Sequence, residues 1–323
     1  MPSLDALLAA SPHTVVGVVT QPDRPRGRGH ITSDSPVKAR AREAGLPVLQ
    51  PEKMNAPAFL EALAAWNADL GVVAAYGRIL TDIILATPRL GMINVHGSLL
   101  PRWRGAAPVH RAIIAGDTST GVTIMRVVQS LDAGPMLAKD SRAIRPDETS
   151  EDVEHALARL GARLLVDVVD QIAGGSAIDT AQDEAAVTYA HKITKEDGVV
   201  DWRWPAARIH NLIRGLHPWP HAVSFLGGKR FILRRSETPG PRAPGLQPTE
   251  GGRALSHPPH PPGTILDAEG DRLVIATGDG PLRLVEIQAE GKRPMPVREF
   301  LAGHRLAAGD RFEVRLKPDP AGT

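Results

Sequence analysis

Short apolar runs alternate with amphipathic stretches over roughly the first 185 residues of the chain. The runs that read as buried strands are VVGVV (15–19), LGVVAAYG (70–77), GMINVHG (91–97) and GVTIMRVV (121–128). They are apolar almost throughout, which is typical of strands covered on both faces. Because stretches with helical spacing separate them, the pattern predicts an α/β fold with a doubly wound, mostly parallel sheet. Ligands of such sheets bind at the carboxyl ends of the strands.

The pattern of apolar and polar residues changes after about residue 185. Residues 184–200 have no clear periodicity and are expected to form a linker. Residues 201–323 contain one helical stretch and several short strands with turn signals, which is typical of a small barrel or sandwich. We therefore expect a first domain over residues 1–183 and a second over 201–323. The Pro- and Gly-rich segment 237–262 is expected to be a disordered insertion.

Composition narrows the class of protein without identifying it. The chain has 323 residues and no cysteine, so disulfides and cysteine-based metal or redox sites are excluded. It contains no apolar run of the ~20 residues that a membrane helix needs, and its start lacks a basic signal region. A cytoplasmic protein is expected. Residues 201–323 carry 18 Lys and Arg against 13 Asp and Glu. This excess indicates either a polyanionic partner or simply a well-solvated surface.

Three polar residues lie at predicted strand ends. Asn94 and His96 are two residues apart on one strand, so their side chains point to the same face. Asp132 follows another strand and could approach them. An amide, an imidazole and a carboxylate form an acid/base and oxyanion-binding set without a nucleophile, which fits acyl transfer to an amine of the substrate. The alternative is a set of hydrogen-bonded polar residues at strand ends and a turn.

A basic segment, DRPRGRGH, occupies residues 23–30. It contains Arg24, Arg26 and Arg28 among glycines and a proline, and it lacks the spacing of a phosphate-binding loop. One interpretation is a basic arm that contacts a nucleic-acid backbone. The other interpretation is an exposed, solvated loop.

Longer motifs carry a resemblance to a known family. They are GMINVHGSLLPRWRGAAPVHRAIIAG (91–116), SLDAGPM (130–136), TQPDRP (20–25), SPVK (35–38) and IHNLIRGLHPWP (209–220). With them the chain resembles the folate-dependent formyltransferases, and the flanking motifs are similar to those of the methionyl-tRNA formyltransferases. The resemblance covers nearly the whole chain except the Pro- and Gly-rich segment. It implies a Rossmann-like formyltransferase domain followed by an OB-like β-barrel.

The resemblance implies an activity and roles for the three polar residues. The formyl group of 10-formyltetrahydrofolate would pass to the α-amino group of methionine on initiator tRNA. Asn94 would hydrogen-bond the formyl oxygen, and His96 would stabilise the oxyanion or accept the amine proton. Asp132 would orient His96 and a water molecule. The resemblance calls for no metal.

The resemblance also assigns binding residues. Those expected at the folate pocket are Tyr76, Gly77, Ser98, Leu99, Leu100, Pro101, Asp132 and Gly134. Arg24, Arg26 and Arg28 would contact tRNA, and Arg28 matches the arginine that the family uses near the acceptor end. The basic second domain would bind the tRNA backbone, and the family pattern indicates a monomer.

One departure from the family lies at the start of the chain. The family begins with a strand and a glycine loop, whereas this chain begins at the helix that follows them. We therefore expect the chain as written to be poorly soluble and weakly active, and a longer chain to recover both properties. Two other functions stay open. The first is a 10-formyltetrahydrofolate-dependent transferase acting on a nucleotide precursor or an amino sugar, and the second is a non-catalytic RNA-binding protein.

Overall fold

The computed structural model describes residues 1–9, 12–23, 25–26, 31–237 and 260–313. The expected insertion at 237–262 therefore lies almost wholly outside the described residues. The chain forms two compact units, each discontinuous in sequence. Unit 1 comprises Met1–Pro108, Ser119–Ala143 and Glu154–His191, and unit 2 comprises Val109–Thr118, Ile144–Val153 and Lys192–Thr323. The continuous boundaries expected from the sequence stay a prediction.

The first 190 residues contain six α-helices, one 3₁₀ helix (Glu184–Ala186) and ten strands within the described part of the chain. In chain order they are α1 (Pro2–Ala9), β1 (Val18–Val19), β2 (Pro25–Arg26), β3 (Ile31–Thr32), α2 (Pro36–Glu43), β4 (Val48–Leu49), α3 (Pro57–Ala65), β5 (Gly71–Ala74), α4 (Asp82–Ala86), β6 (Met92–His96), β7 (Arg104–Gly105), α5 (Pro108–Ala115), β8 (Ser119–Arg126), β9 (Met136–Ala143), α6 (Ser150–Ala173) and β10 (Tyr189–Ala190). Most of α5 and the first turn of α6 belong to unit 2.

The main sheet of unit 1 is mixed. Its order is β5-β6-β8-β9, in which β5 and β6 are parallel and the two later pairings are antiparallel. Strands β1 and β4 form a separate parallel pair. The α/β class is confirmed. The apolar runs do not reveal that two of the three pairings in the main sheet are antiparallel. Strand β9, MLAKDSRA, is polar and half exposed, so it lacks the signature of a buried strand.

A glycine of α6 determines how closely this helix packs on the sheet. A Cβ added to Gly161 would lie 2.8 Å from Val95 and 3.1 Å from Val122, both on central strands. These separations are too short for a methyl group, so the close approach depends on glycine. The opposite face of β6 is thereby left for Asn94 and His96, because side chains alternate along a strand.

Unit 2 contains an antiparallel sheet of six strands among its described residues. After α5 its elements are α7 (Ala206–Gly215), β11 (Ala222–Leu226), β12 (Lys229–Glu237), β13 (Ile265–Glu269), β14 (Arg272–Ala276), β15 (Pro281–Ala289), β16 (Met295–Pro296) and α8 (Val297–Gly303). The order is β11-β12-β15-β14-β13, with β16 on β15. Trp202 is fully buried, and its indole donates to Ser224 at 2.9 Å. No helix in the described residues is long and apolar enough to cross a membrane.

Candidate active site

Strand β6 presents Asn94 and His96 on one face of the main sheet of unit 1. His96 is 5 % exposed, and Asn94 is half-buried. Within the described part of the chain, the Asn94 side chain makes no hydrogen bond. Most buried polar groups of a protein are hydrogen-bonded, so an amide without a protein partner is unusual. The Asn94 amide is therefore available to hydrogen-bond a ligand.

A backbone carbonyl orients the His96 ring. His96 Nε2 lies 3.0 Å from the Trp103 carbonyl oxygen, which can only accept, so Nε2 carries the proton. Nδ1 lies 3.6 Å from Asp132 Oδ2, which is longer than a hydrogen bond. Trp103 thus holds the ring, and Asp132 lies beside it as a neighbouring charge. The expectation that Asp132 orients His96 stays a prediction. A backbone acceptor leaves no signature in a side-chain motif.

The Asp132 carboxylate is held in place by the loop that follows β6. Its Oδ2 accepts the backbone N–H of Gly105 at 2.8 Å. Asp132 has φ +48°, and Trp103, on the loop opposite, has φ +64°. The left-handed conformation of Trp103 is strained and costs of order 1–3 kcal/mol. The conformation of Asp132 costs less, because Asp tolerates the left-handed region better than most residues. Contacts from elsewhere must hold both turns in place.

Side chains from residues 182–184 supply part of that support. Gln182 Nε2 donates to the carbonyl oxygens of Asp132 and Gly134, each at 2.8 Å. Gln182 Oε1 accepts from Arg104 Nε at 3.0 Å. The buried Arg104 guanidinium also bonds both carboxylate oxygens of Glu184, at 2.7 and 3.3 Å, and lowers the pKa of that carboxyl group. Sequence patterns did not indicate these residues, because the partners are about 50 to 80 residues apart.

Backbone contacts supply the remainder of the support. The N–H of Trp103 donates to Thr188 Oγ1 at 2.9 Å, and the N–H of Arg104 donates to the Thr188 carbonyl at 2.9 Å. Strand β10 pairs in parallel with β7, so Tyr189 lies opposite Arg104. Part of the segment expected as a linker therefore packs along the loop that carries the Trp103 carbonyl.

Of the residues expected at the folate pocket, Ser98 and Leu100 lie in the interior. Ser98 is fully buried and donates to the Arg102 carbonyl at 2.6 Å. Thr123 Oγ1 donates to the Ser98 carbonyl and accepts the N–H of Leu100, at 2.7 and 3.1 Å. Leu100 packs in a buried cluster with Met125 and Met136. These two side chains stabilise the loop between β6 and β7, so a ligand would meet the backbone there.

Other residues expected at the pocket line the ends of β5 and β8. Gly77 is exposed with φ +71°, and Gln21 donates to the Tyr76 carbonyl at 2.8 Å. Burial raises the pKa of the Tyr76 hydroxyl, which donates to Met54. A Cβ at Gly134 would lie 1.9 Å from the Arg126 carbonyl, so this turn accepts only glycine. Leu99 and Pro101 are half-buried.

Exposed apolar side chains adjoin these residues. Ile79, two residues after Gly77, is 85 % exposed, and Leu131, next to Asp132, is 63 % exposed. Ile83 and Val128 are also exposed. A hydrogen bond between Gln129 and Asp82 holds the Leu131 loop beside α4. Large exposed apolar side chains beside a site are candidates for contact with an apolar ligand. The sequence does not reveal them, because the exposure of a side chain is a tertiary property.

The structure describes little of the basic segment. Arg24 and Arg28 lie outside the described residues, and of Arg26 only the backbone, in β2, is described. The buried Lys38 ammonium bonds Asp23, the first residue of that segment, and it lies 3.0 Å from Asp34, which follows the segment. The hydrogen bond between Lys38 and Asp23 raises the pKa of the Lys38 ammonium and lowers the pKa of the Asp23 carboxyl group.

The arrangement offers a free amide, an imidazole with one nitrogen available, and a carboxylate. These groups can bind an oxyanion and accept a proton, while the attacking group comes from a substrate. Among the residues that the structure describes, no cluster of three His, Asp or Glu side chains could hold a metal ion. Such a set of groups is suited to acyl transfer.

Comparison with known proteins identifies the class. The formyl transferase family model matches residues 3–169, and the model of the formyl transferase C-terminal domain matches residues 192–305. The chain belongs to the formyl transferase family.

Relatives within the family share most of the chain. A methionyl-tRNA formyltransferase of Desulfotalea psychrophila is 46 % identical over 306 residues, which cover 95 % of this chain and 90 % of the relative. A methionyl-tRNA formyltransferase of Caldanaerobacter subterraneus subsp. tengcongensis is 43 % identical over 311 residues, 96 % of this chain and 95 % of the relative.

Solved structures share the fold at lower identity. The sugar 3N-formyl transferase WlaRD, determined in the presence of dTDP and 5-N-formyl-THF, has a TM-score of 0.62 at 14 % identity. The match covers 90 % of this chain and 94 % of that one. HypX from Aquifex aeolicus, in complex with tetrahydrofolic acid, has a TM-score of 0.56 at 17 % identity, over 81 % of this chain and 43 % of that one. These likenesses concern the fold alone.

Proposed function

We propose that the chain transfers the formyl group of 10-formyltetrahydrofolate to the α-amino group of methionine on initiator tRNA, for the initiation of translation. The observation that carries this proposal is the near-full-length similarity to methionyl-tRNA formyltransferases, at 46 % and 43 % identity over at least 95 % of the chain. The polar groups around His96 support it, because they suit transfer to a substrate amine.

The reaction needs an oxyanion donor and a proton acceptor. The amine nitrogen forms a bond to the formyl carbon, and the bond from that carbon to the donor nitrogen breaks. The amine loses a proton, and the departing nitrogen gains one. The unpaired Asn94 amide donates to the formyl oxygen as negative charge develops there.

The tautomer of His96 favours one of the two roles expected for it. Nε2 carries the proton that bonds the Trp103 carbonyl, so Nδ1 has the free electron pair. Nδ1 therefore accepts the amine proton. The imidazolium that results lies 3.6 Å from Asp132 Oδ2, and this carboxylate stabilises its charge.

The formyl donor binds as a substrate beside β5 and β6. We assign its binding to the backbone around Tyr76–Gly77, to Ser98–Pro101 and to Asp132–Gly134. The exposed side chains of Ile79 and Leu131 fit the apolar surface of a folate. Asn94 lies at the formyl end of this pocket.

The formyl acceptor, initiator tRNA, is a polyanion, so its binding requires a basic protein surface. Arg24, Arg26 and Arg28 contact the tRNA near its acceptor end, and residues 201–323, with 18 Lys and Arg against 13 Asp and Glu, contact the backbone. The protein acts as a monomer. Because initiator tRNA takes part in cytoplasmic translation, we assign the reaction to the cytoplasm.

A formylation assay tests the proposal. Purified protein is given 10-formyltetrahydrofolate with charged initiator tRNA, charged elongator tRNA or uncharged tRNA, and formylmethionine is quantified. Formylation of charged initiator tRNA above the other two is expected. Formylation of an amino sugar or a ribonucleotide precursor, with none on tRNA, would overturn the proposal in favour of another substrate. The absence of any formyl transfer, with tRNA still bound, would favour a non-catalytic RNA-binding protein.

A further inference from the structure

Two turns of the candidate site have a left-handed backbone and depend on outside support. Trp103, whose carbonyl orients His96, has φ +64°, and Asp132 has φ +48°. Neither turn is held by its own residues alone. A single side chain, Gln182, contacts one turn directly and the residue next to the other.

The amide of Gln182 is fully used in these contacts. Its two N–H groups meet the carbonyls of Asp132 and Gly134, and its oxygen meets the Arg104 guanidinium. The reverse orientation would place an oxygen against two carbonyl oxygens and an NH₂ group against a cation. The network therefore fixes the orientation of the amide. No hydrogen of the amide is left for a substrate.

Arg104 continues the connection to the other turn. Its guanidinium is 4 % exposed and forms a two-point pair with Glu184, whose side chain is 72 % exposed. Arg104 directly follows Trp103, so holding the guanidinium also holds the carbonyl that orients His96. Gly105, the next residue, donates to Asp132 Oδ2 at 2.8 Å. Gln182 thus links both groups that face the His96 ring.

We propose that Gln182 is a positioning residue for formyl transfer, which acts by holding the Asp132 turn and Arg104 at the separation that places a carboxylate beside His96. It touches neither substrate. The kinetic test of this inference rests on the proposed function, whereas the spectroscopic test of His96 is independent of that function. Arg104 and Glu184 belong to the same network.

The experiment compares Gln182→Leu with Gln171→Leu. The first variant removes both donors and the acceptor while keeping a similar volume. The second makes the same change at an exposed position of α6. We expect kcat of Gln182→Leu to fall about 10–100-fold, as for other groups that orient an active residue. KM for both substrates should stay within about twofold, and Gln171→Leu should match the wild type.

A spectroscopic measurement tests the same inference without turnover. In protein labelled with ¹⁵N-histidine, the spectrum of His96→Ala assigns the His96 ring nitrogens. Gln182→Leu should shift those two resonances, and Gln171→Leu should leave them in place. If Gln182→Leu does not fold, Gln182→Glu replaces it, because it keeps an oxygen toward Arg104 and removes both donors.

The outcomes separate this inference from the proposed function. A folded Gln182 variant with wild-type kcat and unchanged His96 resonances would overturn the inference while leaving tRNA formylation intact. Equal losses in Gln182→Leu and Gln171→Leu would overturn it as well. If the wild type formylates no tRNA, the proposed function fails, and the His96 resonances alone decide the role of Gln182.

Discussion

Two polar networks in unit 1 are each centred on a buried cation, but they hold different kinds of structure. Arg104, 3 % exposed, bonds Gln182 and both oxygens of Glu184. Lys38, 7 % exposed, pairs with two separate carboxylates, Asp23 and Asp34. The first network supports two turns beside His96. The second joins Asp23 and Asp34, which lie on either side of residues 24–33, the stretch that contains Arg24, Arg26 and Arg28.

The difference follows from the chemistry of the two cations. A guanidinium is planar and bonds in fixed directions, so it can hold a carboxylate and an amide at defined angles. An ammonium is a point charge with rotating donors, and it can bring two carboxylates together without fixing their orientation. We infer that the Arg104 network serves the chemical step, whereas the Lys38 network serves the presentation of the basic segment. Changes in the first should therefore alter kcat, and changes in the second should alter KM for tRNA.

The largest effect is expected at His96. His96→Ala removes the proton acceptor, so kcat should fall about 10²–10⁴-fold. Binding of charged initiator tRNA should be unchanged, because the ring lies among the reacting groups rather than on the basic surface. Single-turnover formylation and a filter-binding assay measure the two quantities. A His96→Ala variant with normal turnover would remove His96 from the mechanism.

A smaller effect, on KM for tRNA rather than on kcat, is expected when Lys38 is changed. Lys38→Met leaves Asp23 and Asp34 without their shared partner, so the two ends of segment 24–33 repel each other. We expect KM for initiator tRNA to rise roughly tenfold with kcat within about twofold, since this is loss of uniform binding. Lys38→Arg, which keeps the charge, serves as the matched control. A fall in kcat at unchanged KM would contradict the division between the two networks.

A change within the basic segment should be smaller still. Arg28→Ala should raise KM for tRNA several-fold, and the slope of log binding constant against log salt should become less steep by about 0.7–0.9, the contribution of one phosphate contact. Binding titrations at four salt concentrations measure the slope. An unchanged slope would mean that Arg28 contacts no phosphate.

A titrating group in unit 2 should affect stability alone. Burial, and then the charge of Arg234, lower the pKa of His221 to about 4, and Arg234 donates to its Nε2 at 2.6 Å. An unfolded histidine titrates near 6.5. Between pH 4 and 6.5 the unfolded state binds a proton at His221 that the folded state does not bind. The contribution of the neutral His221 to the free energy of unfolding is therefore fully present above pH 6.5 and is lost as pH falls toward 4.

Thermal unfolding at pH 4 to 7 tests this assignment. His221→Asn should flatten the dependence of Tm on pH in that window, and asparagine tolerates the φ of +66° at this position. The kcat of this variant at pH 7 should be unchanged. A variant with the wild-type slope would show that another group titrates.

Much of unit 1 follows from local pattern. The apolar runs predict β5, β6 and β8, because a strand covered on both faces must be apolar. Strand β9 escapes prediction, because its polar side chains lie at the half-exposed edge of the described sheet. Asn94 and His96 could be paired from sequence, since a strand repeats every two residues. Gln182 could not be connected to Asp132, because nothing local records a contact between residues 50 positions apart.

The sequence by itself determined the α/β class, the family to which the chain belongs, and the residue types available for acyl transfer. Its motifs carry this information because strand period, helix spacing and reactive side chains are local properties. Only the tertiary structure decided which group orients His96, where Asp132 lies relative to it, and that residues 182–190 support both. Those facts depend on chain segments that meet only after folding, and on backbone carbonyls that every residue possesses.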